Sequence, residues 1–539
     1  MNIREKTFAL IDALKATCQA YGLGNDGNEY KIITQVFLYK FLNDKFAYEA
    51  KQIEPKLASA EKWEETYAGF TEDEREDLFD AMSPDIPRLN PEHLIAYLWN
   101  QQGKGDFDLL FDNTMTDIAD KNLAIFATQT TERTRVPLFE KLTVFVTDDA
   151  QRAPFARALI DKLANFSFEE TFSQSYDFFA AIFEYLIRDY NTNGGGKYAE
   201  YYTPHAIAAI MAKLLVGENP DLHDMACYDP SAGTGTLLMA LAHQIGVDRC
   251  MIYAQDISQR SNKMLKLNLI LNNLVSSLDH AIQGDTLTQP YHKGDDGQLR
   301  QFDFVVSNPP FKMDFSDTRE KIAAMTSRFW AGVPKVPANK KESMAIYTCF
   351  VQHVINSLKP NGKGAVVIPT GFLTAKSGIE LAIRQRLVEE GWLRGVVSMP
   401  SNIFANTGTN VSVLFIDKGN EKREAVLMDA SKLGIKIKEG KNQKTLLREE
   451  EIDRIIKTFN ERRPEDDFCV VVPYEDIKAK SYSFSAGQYF DVKIEYVDIT
   501  PEEFAARMTE YKTSLTEKFQ KGHELEQSIM EQLGRLFYE

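Results

Sequence analysis

The sequence predicts an α/β chain, in which a doubly wound parallel sheet is preceded by an all-helical region and followed by a mainly helical extension. Three observations lead there. Apolar runs of strand length alternate with helical patterns between residues 166 and 420. Several of those runs end in a small or acidic residue, as strand ends that meet a ligand do. Residues 1–165 carry apolar side chains at helical spacing with few strand signals. At 539 residues the chain is too long for one core. Three regions are expected, over 1–165, 166–420 and 421–539.

In the first region Phe8, Ile11, Leu14 and Cys18 recur at helical spacing, as do Phe37, Phe41 and Phe46. Polar breaks at Gly22–Gly27 and Gln101–Gly105 separate the helices. His93 stands alone and reads as a packing or surface residue. Gly194-Gly195-Gly196 then reads as a connector, with a lid hinge as the other reading.

The second region opens its chemistry at Cys227-Tyr228-Asp229-Pro230-Ser231-Ala232-Gly233-Thr234-Gly235, a short strand and a small-residue loop ahead of a helix. Small residues let the backbone approach a ligand lying across the strand ends. No Gly-Lys-Ser/Thr is present, so this is not a phosphate loop. A lone Gly-x-Gly is weak evidence, often only a tight turn. The next run, Met251 to Asp256, ends in an acid about twenty residues past the glycines, placed to grip both ribose hydroxyls. The helix with Met264, Leu267, Leu271 and Leu274 carries a stripe that can cover the sheet. A third strand-end acid, Asp285 in Gly284-Asp285-Thr286-Leu287, could receive an adenine amine.

The run Phe302–Val306 ends in Ser307-Asn308-Pro309-Pro310-Phe311. Pro309 and Pro310 have no N–H and a fixed φ, so the Pro309 carbonyl is held rigidly. The Asn308 side-chain oxygen is a second acceptor, and Phe311 offers a face for stacking. An amine on an aromatic ring is a poor nucleophile because its lone pair is delocalised. Two acceptors on its hydrogens favour the pyramidal form and free that pair. The plainer reading is a chain break after a strand. Asp314 to Ser343 is long and strand-poor, a length that in a compact domain is functional or disordered.

Asp229-Pro230-Ser231-Ala232-Gly233-Thr234-Gly235, Gly284-Asp285-Thr286-Leu287 and Asn308-Pro309-Pro310-Phe311, in this order and spacing, resemble an S-adenosyl-L-methionine-dependent methyltransferase acting on the amine of adenine in DNA. Tyr198-Ala199-Glu200-Tyr201-Tyr202-Thr203-Pro204-His205 is similar to the element preceding the glycine loop in the methylation (M) subunits of type I restriction–modification systems. Gly364–Leu373, Met399–Phe404 and Thr407-Gly408-Thr409 also resemble these subunits. The likeness is specific from about Tyr176 to Lys418 and looser at both ends.

The resemblance implies a Rossmann-like methyltransferase sheet over 166–420 and a helical DNA- or partner-docking domain over 1–165. Asn308, Pro309, Pro310 and Phe311 would be catalytic, acting on an adenine flipped out of the duplex. Cofactor binding would fall to Glu200, Tyr201, Tyr202, Thr203, Pro204, His205, Asp229, Ser231, Ala232, Gly233, Gly235, Asp256 and Asp285. Three positions depart from the pattern. Thr236 replaces a Gly and Asp256 a common Glu, while His205 replaces an Arg and weakens any charge contact to the cofactor carboxylate. The implied partners are double-stranded DNA, a specificity (S) subunit, a second M subunit and a restriction (R) subunit, with no membrane. Phe329 or Trp330, in the long segment after Phe311, could add a second stacking surface, and that segment could touch DNA.

The net charge of −16 argues against a chain that grips DNA alone. Lys312, Arg319, Lys321, Arg328, Lys335, Lys340 and Lys341 can concentrate positive charge locally, a partner can supply the hold, as the resemblance favours, or both can act together. Five scattered cysteines, no Cys-x-x-Cys and no His cluster indicate reduced thiols and no metal. Without an apolar run of bilayer length or a signal-peptide pattern, the expected location is cytoplasmic.

The third region begins polar and Lys-rich, from Lys432 to Lys444. Thr500, Pro501 and Glu503 announce a closing helix. Phe504, Met508, Tyr511 and Leu515, then Leu525, Ile529, Leu533 and Leu536, make a near-heptad stripe interrupted around Gly522. It can lie on the protein's own body or dock on a partner's helices. Rival functions are an amino-methyltransferase for protein glutamine or RNA, which would share only the central region, and a catalytically idle cofactor-binding scaffold. No Pro-Cys nucleophile for carbon-5 cytosine methylation accompanies the site.

Overall fold

Phe304, Val305 and Val306 bury their side chains on alternate faces of one strand, against two different apolar clusters. A strand covered on both sides in this way belongs to the middle of a layered α/β sheet. The computed structural model describes residues 2–24, 28–126, 128–130, 135–172, 181–186, 203–217, 221–404, 410–439, 442–490 and 499–534. The Gly194–Gly196 connector, Tyr198–Tyr202, Thr407–Thr409 and Leu536 lie outside them. Contacts divide the chain into two units, Met1–Phe490 and Asp491–Glu539.

In chain order the strands are β1 (Thr128–Thr130), β2 (Arg135–Val136), β3 (Met225–Asp229), β4 (Cys250–Asp256), β5 (Ala281–Gln283) and β6 (Phe302–Ser307). They continue with β7 (Leu358–Pro369), β8 (Leu393–Ser398), β9 (Val411–Asp417), β10 (Glu424–Asp429), β11 (Ile435–Glu439), β12 (Asn442–Leu446) and β13 (Cys469–Pro473). Among the described residues, eleven form one sheet in the order β13-β10-β8-β9-β7-β6-β3-β4-β5-β1-β2. The central strands β5, β4, β3, β6 and β7 are parallel, and β9 runs antiparallel between β7 and β8. From β3 the chain winds to β4 and β5 on one side. It returns to β6 and winds to β7 on the other. The crevice at the carboxyl ends of β3 and β6 is therefore the topological switch point, where such sheets bind ligands.

Helices cover both faces. His205–Val216, Thr236–Ile245 and Gln259–Leu271 bury Ile207, Leu238 and Leu265 in one cluster. Tyr347–Asn356 and Gly378–Glu389 bury Val351 and Ile383 in the other. Met264, Leu267, Leu271 and Leu274 are all buried, as their spacing predicts.

The front region is helical, with long helices at Ile3–Ala20, Glu29–Ile53, Phe107–Lys121 and Asp149–Ala164. It also lends β1 and β2 to the sheet, β1 pairing parallel with β5. Strands this short carry no periodicity in sequence and form because an existing edge supplies their partners. Lone His93 is buried, its Nε2 2.6 Å from Asp117 Oδ2. Beyond β9, the strands β10 and β13 extend the other edge.

Asp314 to Ser343 contains the short helix Arg319–Ala323 and no strand. Phe315, Ile322, Phe329 and Val333 close a small core with Leu287, Met344 and Cys349, so this stretch is a packed lobe. In the second unit the helix Pro501–Gly534 is continuous through Gly522, so the gap in its stripe is not a break in the helix. Thr500 and Glu503 make the expected reciprocal cap at 3.1 and 3.2 Å. No helix among the described residues is long and apolar enough to cross a membrane.

Candidate active site

Asn308-Pro309-Pro310-Phe311 leaves the sheet at the carboxyl end of β6, on the switch-point side. Thr203, buried just ahead of the helix His205–Val216, accepts a hydrogen bond from Asn308 Nδ2 at 3.0 Å. With its nitrogen engaged, the Asn308 amide presents Oδ1 as an acceptor. Pro309 is buried and Phe311 half-buried, its ring edge-on to Tyr347 at 6.3 Å between centroids and 77° between planes. The Tyr347 hydroxyl in turn donates to Glu380 at 3.2 Å.

Beside this turn lies the loop after β3. Gly233 and Gly235 take positive φ, 52° and 83°. At Gly235 a Cβ would run into Leu265 Cδ1, so both dihedral and space call for glycine. Ala232 donates its N–H to the Gln255 carbonyl at 3.2 Å. Ser231 Oγ and Ser307 Oγ are 2.7 Å apart, which fastens the glycine loop to the strand that ends in Asn308. The Thr286 hydroxyl donates to the Pro230 carbonyl at 2.7 Å and ties in the third strand end.

The three acids sit at successive strand ends. Asp229 is buried, and its Oδ1 accepts from Ser231 N at 2.9 Å and Ser231 Oγ at 3.3 Å. Burial, reinforced by the charge of Asp256, pushes its carboxyl up to about 8. Asp256 accepts the Gly233 N–H on Oδ2 and the Ser258 N–H on Oδ1, each at 2.8 Å, and burial raises its pKa also. Each oxygen keeps a lone pair for a further donor. Asp285 engages its own turn, accepting from Leu287 N at 2.9 Å and the Thr288 hydroxyl at 2.6 Å. Pro204 is the N-cap of the helix that His205 begins. Glu200, Tyr201 and Tyr202 lie outside the described residues. An acidic rim beside a glycine loop fits a cofactor that carries positive charge, a ribose diol and an adenine amine.

The lobe after Phe311 differs from the expectation. Phe329 is 3% exposed and committed to the lobe's core, so it offers no face to a base. Trp330 lies half-buried beneath the Arg386 guanidinium, 4.3 Å from its ring. Arg328 is buried, not presented to phosphates. It donates to the carbonyls of Thr286 (2.7 Å) and Leu287 (3.0 Å) and to His353 Nδ1 (3.0 Å). That bond leaves the His353 proton on Nε2, which donates to the Tyr228 hydroxyl at 3.2 Å. Burial lowers the His353 pKa, and Arg328 lowers it further. Arg319 is likewise engaged, with the carbonyls of Val333 and Pro334 and with Glu320. Lys312, Lys321, Lys335, Lys340 and Lys341 remain exposed. Ser307 and Thr286 lay within the recognised motifs, yet their cross-links between strand ends have no one-dimensional signature.

A profile of the N-6 DNA methylase family matches residues 174–496, more than half of the chain. The MpnII type I restriction enzyme methylase subunit of Mycoplasma pneumoniae is 27% identical over 346 residues, 63% of this chain and 62% of that protein. The match thus spans under two thirds of that relative's own length. The HindI type I restriction enzyme methylase subunit of Haemophilus influenzae is 25% identical over 378 residues, 67% of this chain and 79% of that one. Among solved structures, a type I restriction-modification system methyltransferase subunit from Streptococcus thermophilus shares the fold, with a TM-score of 0.71 at 23% identity over 90% of this chain and 100% of that one. The profile takes in the glycine loop, both later acids and the Asn-Pro-Pro-Phe turn, and the chain belongs to the N-6 DNA methylase family.

Proposed function

We propose that this chain methylates the N6 amine of an adenine flipped out of duplex DNA, as the methylation subunit of a type I restriction–modification assembly in which a specificity subunit selects the sequence. The observation that carries the reading is the Asn308 amide, whose Nδ2 is engaged by Thr203 so that Oδ1 is left as the acceptor at the switch point beside the glycine loop. S-adenosyl-L-methionine, bound over the glycine loop, would supply a methyl group on positively charged sulfur.

The chain's own residues do the rest. Asp229, Ser231, Ala232, Gly233 and Gly235 shape the cofactor bed. Asp256 accepts the ribose hydroxyls, Asp285 the adenine amine, and Glu200 to His205 hold the methionine end, with the Thr203 side chain turned to Asn308 instead. At the acceptor, Asn308 Oδ1 and the Pro309 carbonyl accept hydrogen bonds from the two amine hydrogens and aim the lone pair at the donor carbon, and the methylated nitrogen then gives up one of those protons to solvent. The same two oxygens stabilise the positive charge that builds on nitrogen. Pro310 keeps the turn rigid, and Phe311 stacks on the extruded base. The exposed stripe of Pro501–Gly534, with Phe504, Met508, Tyr511, Leu515, Leu525, Ile529 and Leu533, is the docking helix for the specificity subunit. A second methylation subunit and a restriction subunit complete the assembly.

The test is Asn308→Ala in the co-purified assembly. Cofactor affinity should stay within about threefold, while transfer to adenine falls by about 10²–10³-fold. Equal loss of both would make Asn308 a structural residue, and wild-type label appearing on protein or RNA instead of adenine would overturn the substrate.

A further inference from the structure

The Lys-rich stretch after β10 has no part in the chemistry above. It forms a two-stranded ribbon, β11 paired with β12 in the register Ile435–Leu446, Lys436–Thr445, Ile437–Lys444 and Lys438–Gln443. Lys432, Lys436 and Lys438 are exposed, and so are Ile435, Ile437 and Leu446. From Lys432 to Leu446 the sequence holds five lysines and one acid, Glu439, in a chain whose net charge is −16.

The ribbon is anchored at a defined place. Thr445, on its inner face, donates its N–H to the Asn402 carbonyl at 3.0 Å and its hydroxyl to the Ser401 carbonyl at 2.7 Å. Gly434, at φ 90°, donates to Glu451 Oε1 at 3.0 Å and fixes the ribbon's base. Ser401 and Asn402 follow directly from the carboxyl end of β8 at Ser398. β8 is antiparallel to β9 and β9 to β7, so β8 points the same way as β6. The ribbon's root therefore stands on the same edge of the sheet as Asn308. Three strand spacings separate β8 from β6, roughly 14 Å, less than the ~20 Å width of a duplex. A duplex that delivers a base to the end of β6 cannot avoid the neighbourhood of this root.

We infer that the ribbon of β11 and β12 is a duplex-DNA contact arm, in which Lys432, Lys436 and Lys438 neutralise backbone phosphates beside the flipped adenine. Charge decides for DNA over a protein partner: a cationic ribbon on an acidic chain is matched by a polyanion. A two-stranded ribbon also has the dimensions of the major groove. Ile435 and Ile437 then meet sugar or thymine-methyl surface. The inference rests on the methyltransferase reading and adds the place where the chain itself holds its substrate.

The test is the triple variant Lys432→Gln, Lys436→Gln, Lys438→Gln in the full chain purified with its co-purifying subunits. A 30-base-pair duplex is titrated at several salt concentrations, and cofactor affinity is measured in parallel. Three lost phosphate contacts should lower the slope of log K against log salt by about 2 to 3. The Kd for DNA should rise at least about tenfold at low salt, with cofactor affinity unchanged. An unaltered slope in a variant that still binds and methylates would overturn the arm and leave the methyltransferase reading standing. Loss of a co-purifying subunit at unchanged DNA slope would assign the ribbon to a protein interface and overturn it too. A wild-type assembly that never methylates duplex DNA would remove the reading beneath the arm, and the arm with it.

Discussion

One hydroxyl sets the geometry of the acceptor. Thr203 stands at the end of the element expected to hold the cofactor's methionine end, yet its hydroxyl is spent on Asn308 Nδ2. Thr203→Val keeps the shape and removes the bond, freeing the half-buried Asn308 amide to rotate away from the acceptor geometry. The expected result is a fall in kcat of about tenfold to a hundredfold with cofactor affinity little changed, and recovery in Thr203→Ser. A proportional loss of cofactor binding would instead place the hydroxyl on the cofactor. Asp229 makes a second prediction at this scale. Its folded-state pKa of about 8 lies well above that of a free carboxyl, so the folded apo protein favours the protonated form. Ionising it costs stability, a cost that builds as pH rises from about 4 to about 8 and is constant above. A positively charged ligand nearby stabilises the ionised form. Affinity for S-adenosyl-L-methionine should therefore rise with pH up to about 8, with protons released on binding, and the rise should vanish in Asp229→Asn. Calorimetry in buffers of different ionisation heat measures that release. A neutral-sulfur analogue with the same pH slope would show that Asp229 does not sense the charge.

At the scale of elements, the glycine loop is held from three directions: by Asp256 through the Gly233 N–H, by Ser307 through Ser231, and by Thr286 through Pro230. Gly235→Ala adds a methyl that meets Leu265 and demands a left-handed residue, so folding should lose about 1–3 kcal/mol. Thermal denaturation checks this, and a neutral substitution would mean that the turn relaxes freely. The elements also show what one dimension can carry. Strands β3, β4 and β6 were legible as short apolar runs because both their faces are covered, and the stripe of Met264, Leu267 and Leu271 because burial of one helix face imposes a period. So was the Thr500–Glu503 cap, a signal contained in four residues. β1 and β2 were not, because two or three residues hold no period and the pair is placed by β5, which lies far from β1 in sequence. Arg328 illustrates the limit for side chains. It reads as one more cation in a basic run, and only the fold reveals the carbonyls of Thr286 and Leu287 converging on it.

For the whole molecule, motif order located the switch point, since residues that must meet at one crevice have to end neighbouring strands whatever the loops between them do. The cross-links within the site were illegible because each joins segments separated by about 60 to 100 residues. The buried guanidinium of Arg328 has a consequence for how substrate enters. It is sealed among two carbonyls and a neutral imidazole, and hydrogen bonds of this charged kind contribute about 1.5–3 kcal/mol each. Swinging residues 314–343 outward would strip a cation of those partners together, at a cost far above thermal energy. That lobe is a fixed wall, so room for the incoming nucleotide has to be made by bending the duplex or by yielding of other segments.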